Sequence, residues 1–227
     1  MKVLTAQPNL VEQVHDAILA EITSGRLAAG DRLVQEQLAL ALGVSRQPVQ
    51  QALTLLLKQG VLRDTPGRRL IVAPLDPDHA RYMYDIRAVI EGLACRRAAE
   101  KNAERAATLG PALIKAGRKA VAGGSVLEMI AADIRFHKFI YALSGNPLVA
   151  PVLATYLTYT QRVMGEVLTR DEQPRDIWNQ HAEILAAISA GDGERAETLA
   201  RAHLTQASGF MVTRLLRQPA EQELVHK

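Results

Sequence analysis

The fold of the first part of this 227-residue chain is decided by the stretch Leu38-Ala39-Leu40-Ala41-Leu42-Gly43-Val44-Ser45-Arg46-Gln47-Pro48-Val49-Gln50-Gln51-Ala52-Leu53. A short helix over about residues 35–42 ends at Gly43, and Ser45 then caps a helix that runs to about Gln59. Pro48 falls in the first turn of that helix, where no intrahelical N–H partner is lost. Two short helices joined by a tight glycine turn are the signature of a helix-turn-helix.

A helix precedes this stretch and a hairpin follows it. Asn9 and Glu12 form a capping-box pattern before apolar residues at helical spacing. Two apolar runs, residues 61–63 and 70–72, flank a tip that contains Pro66 and Gly67, which predicts a hairpin. We therefore predict a winged helix-turn-helix over residues 1–75.

The third predicted helix carries a polar stripe of a kind that binds DNA. This stripe has no acidic residue and is rich in Gln and Arg, whose side chains bond bidentately to the edges of adenine and guanine. A recognition helix reads bases with its N-terminal residues, and basic residues at a hairpin tip can reach phosphates or a minor groove. The candidate DNA-binding residues are Arg46, Gln47, Gln50, Gln51, Thr54, Arg68 and Arg69.

The charge of the chain is concentrated in this same region. The whole chain has a net charge of only +3. Residues 43–72, in contrast, hold five basic side chains against the single acid Asp64. A local excess of positive charge favours contact with nucleic acid, whereas the rest of the chain is nearly neutral.

Other counts exclude several classes of protein. The single cysteine, Cys95, rules out an intramolecular disulfide framework and a cysteine-based zinc finger. The N-terminus lacks the apolar core of a signal peptide, and no apolar run approaches the length of a membrane helix. We expect a soluble cytoplasmic protein with no membrane partner.

Residues 76–227 predict an antiparallel all-α helical bundle. Apolar residues recur at helical spacing, and Pro74 and Pro77 separate this part from the first. The predicted helices span 77–101, 103–122, 125–144, 147–169, 174–190 and 193–217. The predicted fold class is therefore mainly α, with an N-terminal winged helix-turn-helix followed by this bundle.

Ionisable side chains interrupt the apolar stripes of three predicted helices. Asp133 and His137 are four residues apart and share one face, while His181 and His203 lie on two other helices. Buried charges need partners, and one metal ion would satisfy all four side chains together. Three imidazoles and a carboxylate suit Zn²⁺ best, with Ni²⁺ or Mn²⁺ as other divalent transition metals. For any one histidine alone, a hydrogen-bonded place in the core is the alternative.

Both parts resemble a known family. The stretch from Leu38 to Leu53 resembles the winged helix of GntR-family bacterial transcription regulators, and the likeness covers about residues 8–73. In that family the arginine that matches Arg46 contacts DNA. The chain departs from the family pattern at Gln50, where arginine is usual, and at the wing tip, where Gly67-Arg68-Arg69 replaces Gly-Arg-Gly.

The bundle resembles the FCD ligand-binding domain of the FadR-type subfamily over about residues 77–215. The segments that carry this likeness include Arg87–Glu91, Asp133–His137, Gln180–Ile184 and Ala202–Leu204. The resemblance implies one metal held by an aspartate and three histidines, and a sensor of small carboxylates. The matching residues are Asp133, His137, His181 and His203.

We therefore predict a ligand-responsive transcription regulator and not an enzyme. It would bind a pseudo-palindromic double-stranded operator as a homodimer and sense a small organic acid through the metal-containing bundle. Arg87 and Arg162 are candidates for pairing with the effector, with an ion pair inside the protein as their alternative.

Two other functions stay open at this point. One is a metal-dependent enzyme acting on a small carboxylate, although the chain has no HExxH or GxSxG motif. The other is a regulator that responds to an acyl-CoA, whose long chain needs an apolar tunnel rather than four metal-type residues.

Overall fold

The computed structural model describes residues 10–67, 69–169 and 177–217. The chain divides into two compact units, residues 1–74 and 75–227. Each unit has its own cluster of buried apolar side chains.

The first unit is a winged helix-turn-helix. Its three-stranded antiparallel sheet has the order β1-β3-β2, and Leu62 lies opposite Val72 in the β2–β3 pair. The hairpin is confirmed, but the sequence did not predict β1. The elements are α1 (Leu10–Thr23), β1 (Arg32–Leu33), α2 (Gln35–Leu42), α3 (Arg46–Lys58), β2 (Leu62–Thr65) and β3 (Arg69–Val72).

The turn between α2 and α3 orients the second helix of the motif. Gly43 has a φ of 65°, in the left-handed region where a side chain would be strained, and its N–H closes α2. Ser45 precedes α3, but its side chain makes no capping hydrogen bond, so that part of the prediction is wrong. Buried Val49, Ala52 and Leu56 instead fix α3 against the rest of the unit. Asn9, the predicted cap of α1, lies outside the described residues.

The second unit is a helical bundle. The sequence predicts two helices that meet at residue 102, and the structure has one long element interrupted there. Asn102 has a non-helical backbone (φ −140°, ψ 32°), and its side-chain amide donates to the carbonyl of Leu143. The helices are α4 (Pro77–Gly123), α5 (Val126–Leu143), α6 (Val149–Leu168), α7 (Ile177–Ser189) and α8 (Gly193–Leu216).

Two of the predicted helix starts are confirmed by their caps. The hydroxyl of Ser125 accepts from the N–H of Glu128, and the carboxylate of Asp192 accepts from the N–H of Arg195. These bonds satisfy backbone donors that the first turn of a helix leaves without partners. The predicted start of α7, at residue 174, lies outside the described residues.

Two glycines bring α7 close to α4. A Cβ at Gly117 would lie 2.0 Å from the ring of Trp178, and one at Gly110 would lie 2.4 Å from Leu185. The absence of a side chain at these positions therefore sets the position of α7, which also carries His181. Of the helices that the structure describes, none combines the length and the apolar character needed to cross a membrane.

Candidate metal centre and nucleic-acid interface

The four predicted metal ligands come together inside the second unit. Asp133 and His137 lie on α5, His181 on α7 and His203 on α8, and all four are buried. The three histidines each offer a nitrogen, and these nitrogens lie within 4.8 Å of one another. The carboxylate of Asp133 lies 3.6 Å from Nε2 of His181 and 3.7 Å from Nε2 of His137.

These distances fit a divalent transition metal. Donor atoms bonded at 2.0–2.1 Å to a tetrahedral zinc ion lie about 3.4 Å apart. The Nε2 atoms of His181 and His203 are 3.2 Å apart, close to that separation. Nδ1 of His181, the nitrogen on the other side of that ring, has no hydrogen-bond partner among the described residues.

Neighbouring side chains orient two of the imidazoles. The carboxylate of Glu91 lies 2.6 Å from Nδ1 of His137, and the amide oxygen of Gln180 lies 2.8 Å from Nδ1 of His203. With the proton on Nδ1 in each ring, Nε2 is left as an acceptor that faces the cluster. Partners of this kind fix the tautomer and the ring orientation of metal-binding histidines.

Burial keeps two of these imidazoles neutral. Burial lowers the pKa of His181 well below its usual value, and the adjacent His203 and His137 lower it further. Burial also lowers the pKa of His203, to about 3. For His137 burial acts in the same direction, but the carboxylates of Glu91 and Asp133 outweigh it and raise the pKa. Neutral imidazoles are the form that binds a metal ion.

Aromatic and flexible side chains surround the cluster. The ring of Phe136 stacks on His181 at 4.4 Å between centroids, and Trp178 meets the same imidazole edge-on at 4.8 Å. A cavity of about 30 Å³ touches Asp133 and is lined by Met129 and Met164 among others. The methionine side chains that line it adapt their shape readily.

Arg87 is held by partners inside the protein. Its Nε donates to Glu91 at 2.6 Å and one terminal nitrogen donates to Thr160 at 3.0 Å. Its side chain is 2 % exposed, and its charge stabilises the ionised Glu91, whose pKa is lowered despite burial. An ion pair within the protein, the alternative for this arginine, is thus present.

Arg162, the other effector candidate, is buried on α6. Burial lowers the pKa of its guanidinium, and Tyr159 and Glu166 partly offset that effect. Pairing of either arginine with an effector stays a prediction.

The predicted DNA-binding residues of α3 lie on its exposed face. Arg46, Gln47, Gln50, Gln51 and Thr54 are exposed, while their neighbours Val49 and Ala52 are buried in the unit. Arg69, at the start of β3, is also exposed. Arg68 lies outside the described residues.

Contacts within the first unit fix the positions of two of these residues, Arg46 and Thr54. Arg46 forms an ion pair with Glu36 of α2, and the side-chain amide of Gln35 donates to the Arg46 carbonyl at 2.8 Å. The hydroxyl of Thr54 donates to the carbonyl of Gln50 one turn earlier. Gln50, Thr54 and Arg69 also line a groove of about 470 Å³. The polar face of α3 and the start of the wing thus border one concave surface.

Sequence reasoning missed the roles of Glu91 and Gln180. Both residues lie in segments that carry the family likeness, but their position in the sequence indicates no role at the metal centre. The spacing of Arg87 and Glu91, four apart on one helix, indicates their ion pair. No sequence signal indicates that the other oxygen of Glu91 meets His137, because that contact joins two helices.

Together, the exposed polar recognition helix and the buried histidine cluster define a two-unit regulatory protein with one DNA-binding and one ligand-binding part. Comparison with known families agrees: residues 10–72 match the bacterial regulatory proteins of the gntR family, and residues 82–206 match the FCD domain. The chain belongs to the gntR family of bacterial regulatory proteins and carries an FCD domain. Its family and relatives are transcription regulators, so the metalloenzyme alternative is wrong.

Individual relatives match most of the chain. An HTH-type transcriptional regulator from an unstable DNA locus of Streptomyces ambofaciens is 30 % identical over 179 residues, 78 % of this chain and 75 % of that protein. The HTH-type transcriptional repressor RspR of Escherichia coli strain K12 is 23 % identical over 197 residues, 87 % of this chain and 86 % of that protein. The structure of McbR/YncC from E. coli aligns with 92 % of this chain and 99 % of the McbR/YncC chain, at 21 % identity. The TM-score of 0.79 shows that the two proteins share a fold.

Proposed function

We propose that this regulator senses a small organic acid through a metal ion held in the second unit. The first unit binds operator DNA through the exposed face of α3 and the wing. The proposed compartment is the cytoplasm, where bacterial operator DNA lies. The second unit binds the effector and alters the affinity for DNA. The residues proposed to bind DNA are Arg46, Gln47, Gln50, Gln51, Thr54, Arg68 and Arg69.

The observation that carries this proposal is the convergence of four side chains from three helices. Asp133, His137, His181 and His203 would hold the metal, and their donor set suits zinc, with nickel or manganese as alternatives. A metal ion bound there would take an effector carboxylate as a further ligand beyond these four. Glu91 and Gln180 keep the imidazoles turned toward the centre.

The site also suits a coupling between effector binding and the arrangement of the helices. His181 and His203 lie on α7 and α8, and Asp133 and His137 lie on α5, so one ligand contacts three helices through their side chains. A ligand that favours one arrangement of these helices shifts the equilibrium by its difference in affinity for the two arrangements. Arg87 and Arg162 are the candidates for pairing with a further carboxylate or hydroxyl group of the effector.

Binding as a homodimer follows from the size of the recognition element. One recognition helix reads only a half-site, and two copies related by a two-fold axis read a pseudo-palindromic operator. We therefore propose that two copies of this chain bind one double-stranded operator together.

Metal analysis of purified protein tests the metal centre. After zinc loading and desalting, wild-type protein should retain about one equivalent of metal per chain, whereas Asp133→Ala and His181→Ala should retain much less. The matched control is His79→Ala, because His79 is exposed and packs its ring on Tyr159. Equal metal content in wild-type protein and all three variants would overturn the proposed centre.

A further inference from the structure

The first helix of the second unit has an exposed apolar stripe. It consists of Tyr82, Ile86, Val89 and Leu93, whose exposed fractions are 62 %, 41 %, 54 % and 44 %. The spacing is four, three and four residues, so all four side chains lie on one face of α4. Single exposed apolar residues are common on proteins, but a continuous row of this kind marks an interaction site.

The opposite face of α4 is already used by the bundle. Ala80, Met83, Tyr84 and Ala94 are buried there. The helix therefore has two apolar faces, of which the unit itself covers one. A 4-3-4 spacing of large apolar residues is the pattern by which two helices pack along a common seam.

We propose that this stripe is the surface on which a second copy of the chain packs, with the two α4 helices antiparallel. The inference rests on the proposed homodimer and adds where the two copies meet. The two-fold axis passes between Ile86 and Val89. Ile86 of each copy then lies beside Val89 of the other, and Tyr82 lies beside Leu93.

The charges that flank the stripe favour the antiparallel arrangement. Asp78 is exposed just before the stripe and pairs with Arg81. Arg97 lies just beyond its end and donates to the carbonyl of Ser144, whereas Arg96 is already paired with three glutamates of its own chain. In an antiparallel pair with this axis Asp78 of one copy lies opposite Arg97 of the other, whereas a parallel pair brings like charges together.

Sedimentation equilibrium of the full-length chain tests the surface. Val89→Glu places a charge in the seam and should weaken the dimer roughly 100-fold. Leu109→Glu is the matched control, because Leu109 is 46 % exposed on the same helix but beyond Asn102, outside the stripe. This control should leave the dimer unchanged. Circular dichroism should show the same helix content in both variants, because both positions are exposed.

Disulfide trapping in a Cys95→Ala background tests the arrangement. The double variant Tyr82→Cys/Leu93→Cys should form covalent dimers on mild oxidation, and neither single variant should. Within one chain these positions are about 16 Å apart, too far for a disulfide, so every bond formed joins two copies. Trapping by Tyr82→Cys alone would indicate a parallel pair and overturn the antiparallel seam.

The results separate this inference from the proposed function. A wild-type dimer that Val89→Glu leaves intact would overturn the stripe as the seam and leave the homodimer standing. A wild-type protein that is monomeric at about 100 µM, far above ordinary specific affinities, would overturn both. Metal retention by the second unit would be unaffected in either case.

Discussion

The carboxylate of Glu91, on α4, lies 2.6 Å from Nδ1 of His137, on α5. The other oxygen of Glu91 accepts from Nε of Arg87, also at 2.6 Å, and all three side chains are buried. This contact turns Nε2 of His137 toward Asp133 and the other imidazoles. A carboxylate that holds a histidine in this way strengthens metal binding without touching the metal.

Replacing Glu91 with glutamine should therefore weaken metal binding about 10–100-fold, as loss of such partners typically does. Competition with a chromogenic zinc chelator measures the affinity. The control is Glu197→Gln, because Glu197 pairs with Arg201 and Arg96 at a half-buried position away from the imidazoles.

Glu91→Gln also leaves the buried charge of Arg87 without its ion-pair partner, which can destabilise the protein. The double variant Arg87→Met/Glu91→Gln removes both charges and separates the two effects. An affinity equal to that of Glu197→Gln, in single and double variant alike, would show that Glu91 has no part in the centre.

Gly117→Ala should destabilise the second unit by about 1–3 kcal/mol, the usual cost of overpacking a core. The added Cβ would meet the ring of Trp178 at 2.0 Å and force α7 away from α4. Urea unfolding of the metal-free protein measures the change. Gly209→Ala is the control, because a Cβ there has no atom within 4 Å, and it should be neutral or slightly stabilising. Equal stability of the two variants would contradict the close packing of α7 on α4.

Arg46→Ala should weaken specific operator binding by about 1–3 kcal/mol, the contribution of one good base contact. The operator is first selected from random DNA by the wild-type chain, and fluorescence anisotropy then measures the affinity. Arg26→Ala is the matched control, because Arg26 is another exposed arginine paired with a glutamate, Glu21, but lies outside α3. If the two variants bind the operator with equal affinity, Arg46 does not contact a base.

The sequence predicts the fold of the first unit well because its signals are local. Gly43 and the apolar spacing within α3 define the two helices of the motif, and Pro66 with Gly67 defines the hairpin. The sequence does not predict β1, because this strand has two residues, Arg32 and Leu33, and two residues are too few to show the alternation typical of a strand. Their pairing with Ile71 and Leu70 depends on residues almost forty positions away.

For the metal centre, the sequence predicts which ligands share a face of one helix, but it does not predict how separate helices pack. Asp133 and His137 share a face by their spacing, but their approach to His181 depends on how α7 packs on α4. That packing rests on Gly110 and Gly117, which look like weak helix formers in the sequence. The role of Glu91 is not predictable for the same reason. Its ion pair with Arg87 lies within one helix, whereas its contact with His137 joins two helices.

Thermal unfolding with added carboxylates tests whether the second unit senses an organic acid through a bound metal ion. Zinc-loaded protein is titrated with lactate, citrate and gluconate, and a ligand at 100 times its Kd should stabilise the fold by about 2.7 kcal/mol. We expect at least one of these acids to raise the Tm of zinc-loaded wild-type protein, and we expect no response from metal-stripped protein or from His181→Ala. An equal rise without metal, or no rise with any of the acids, would contradict metal-dependent sensing of an organic acid.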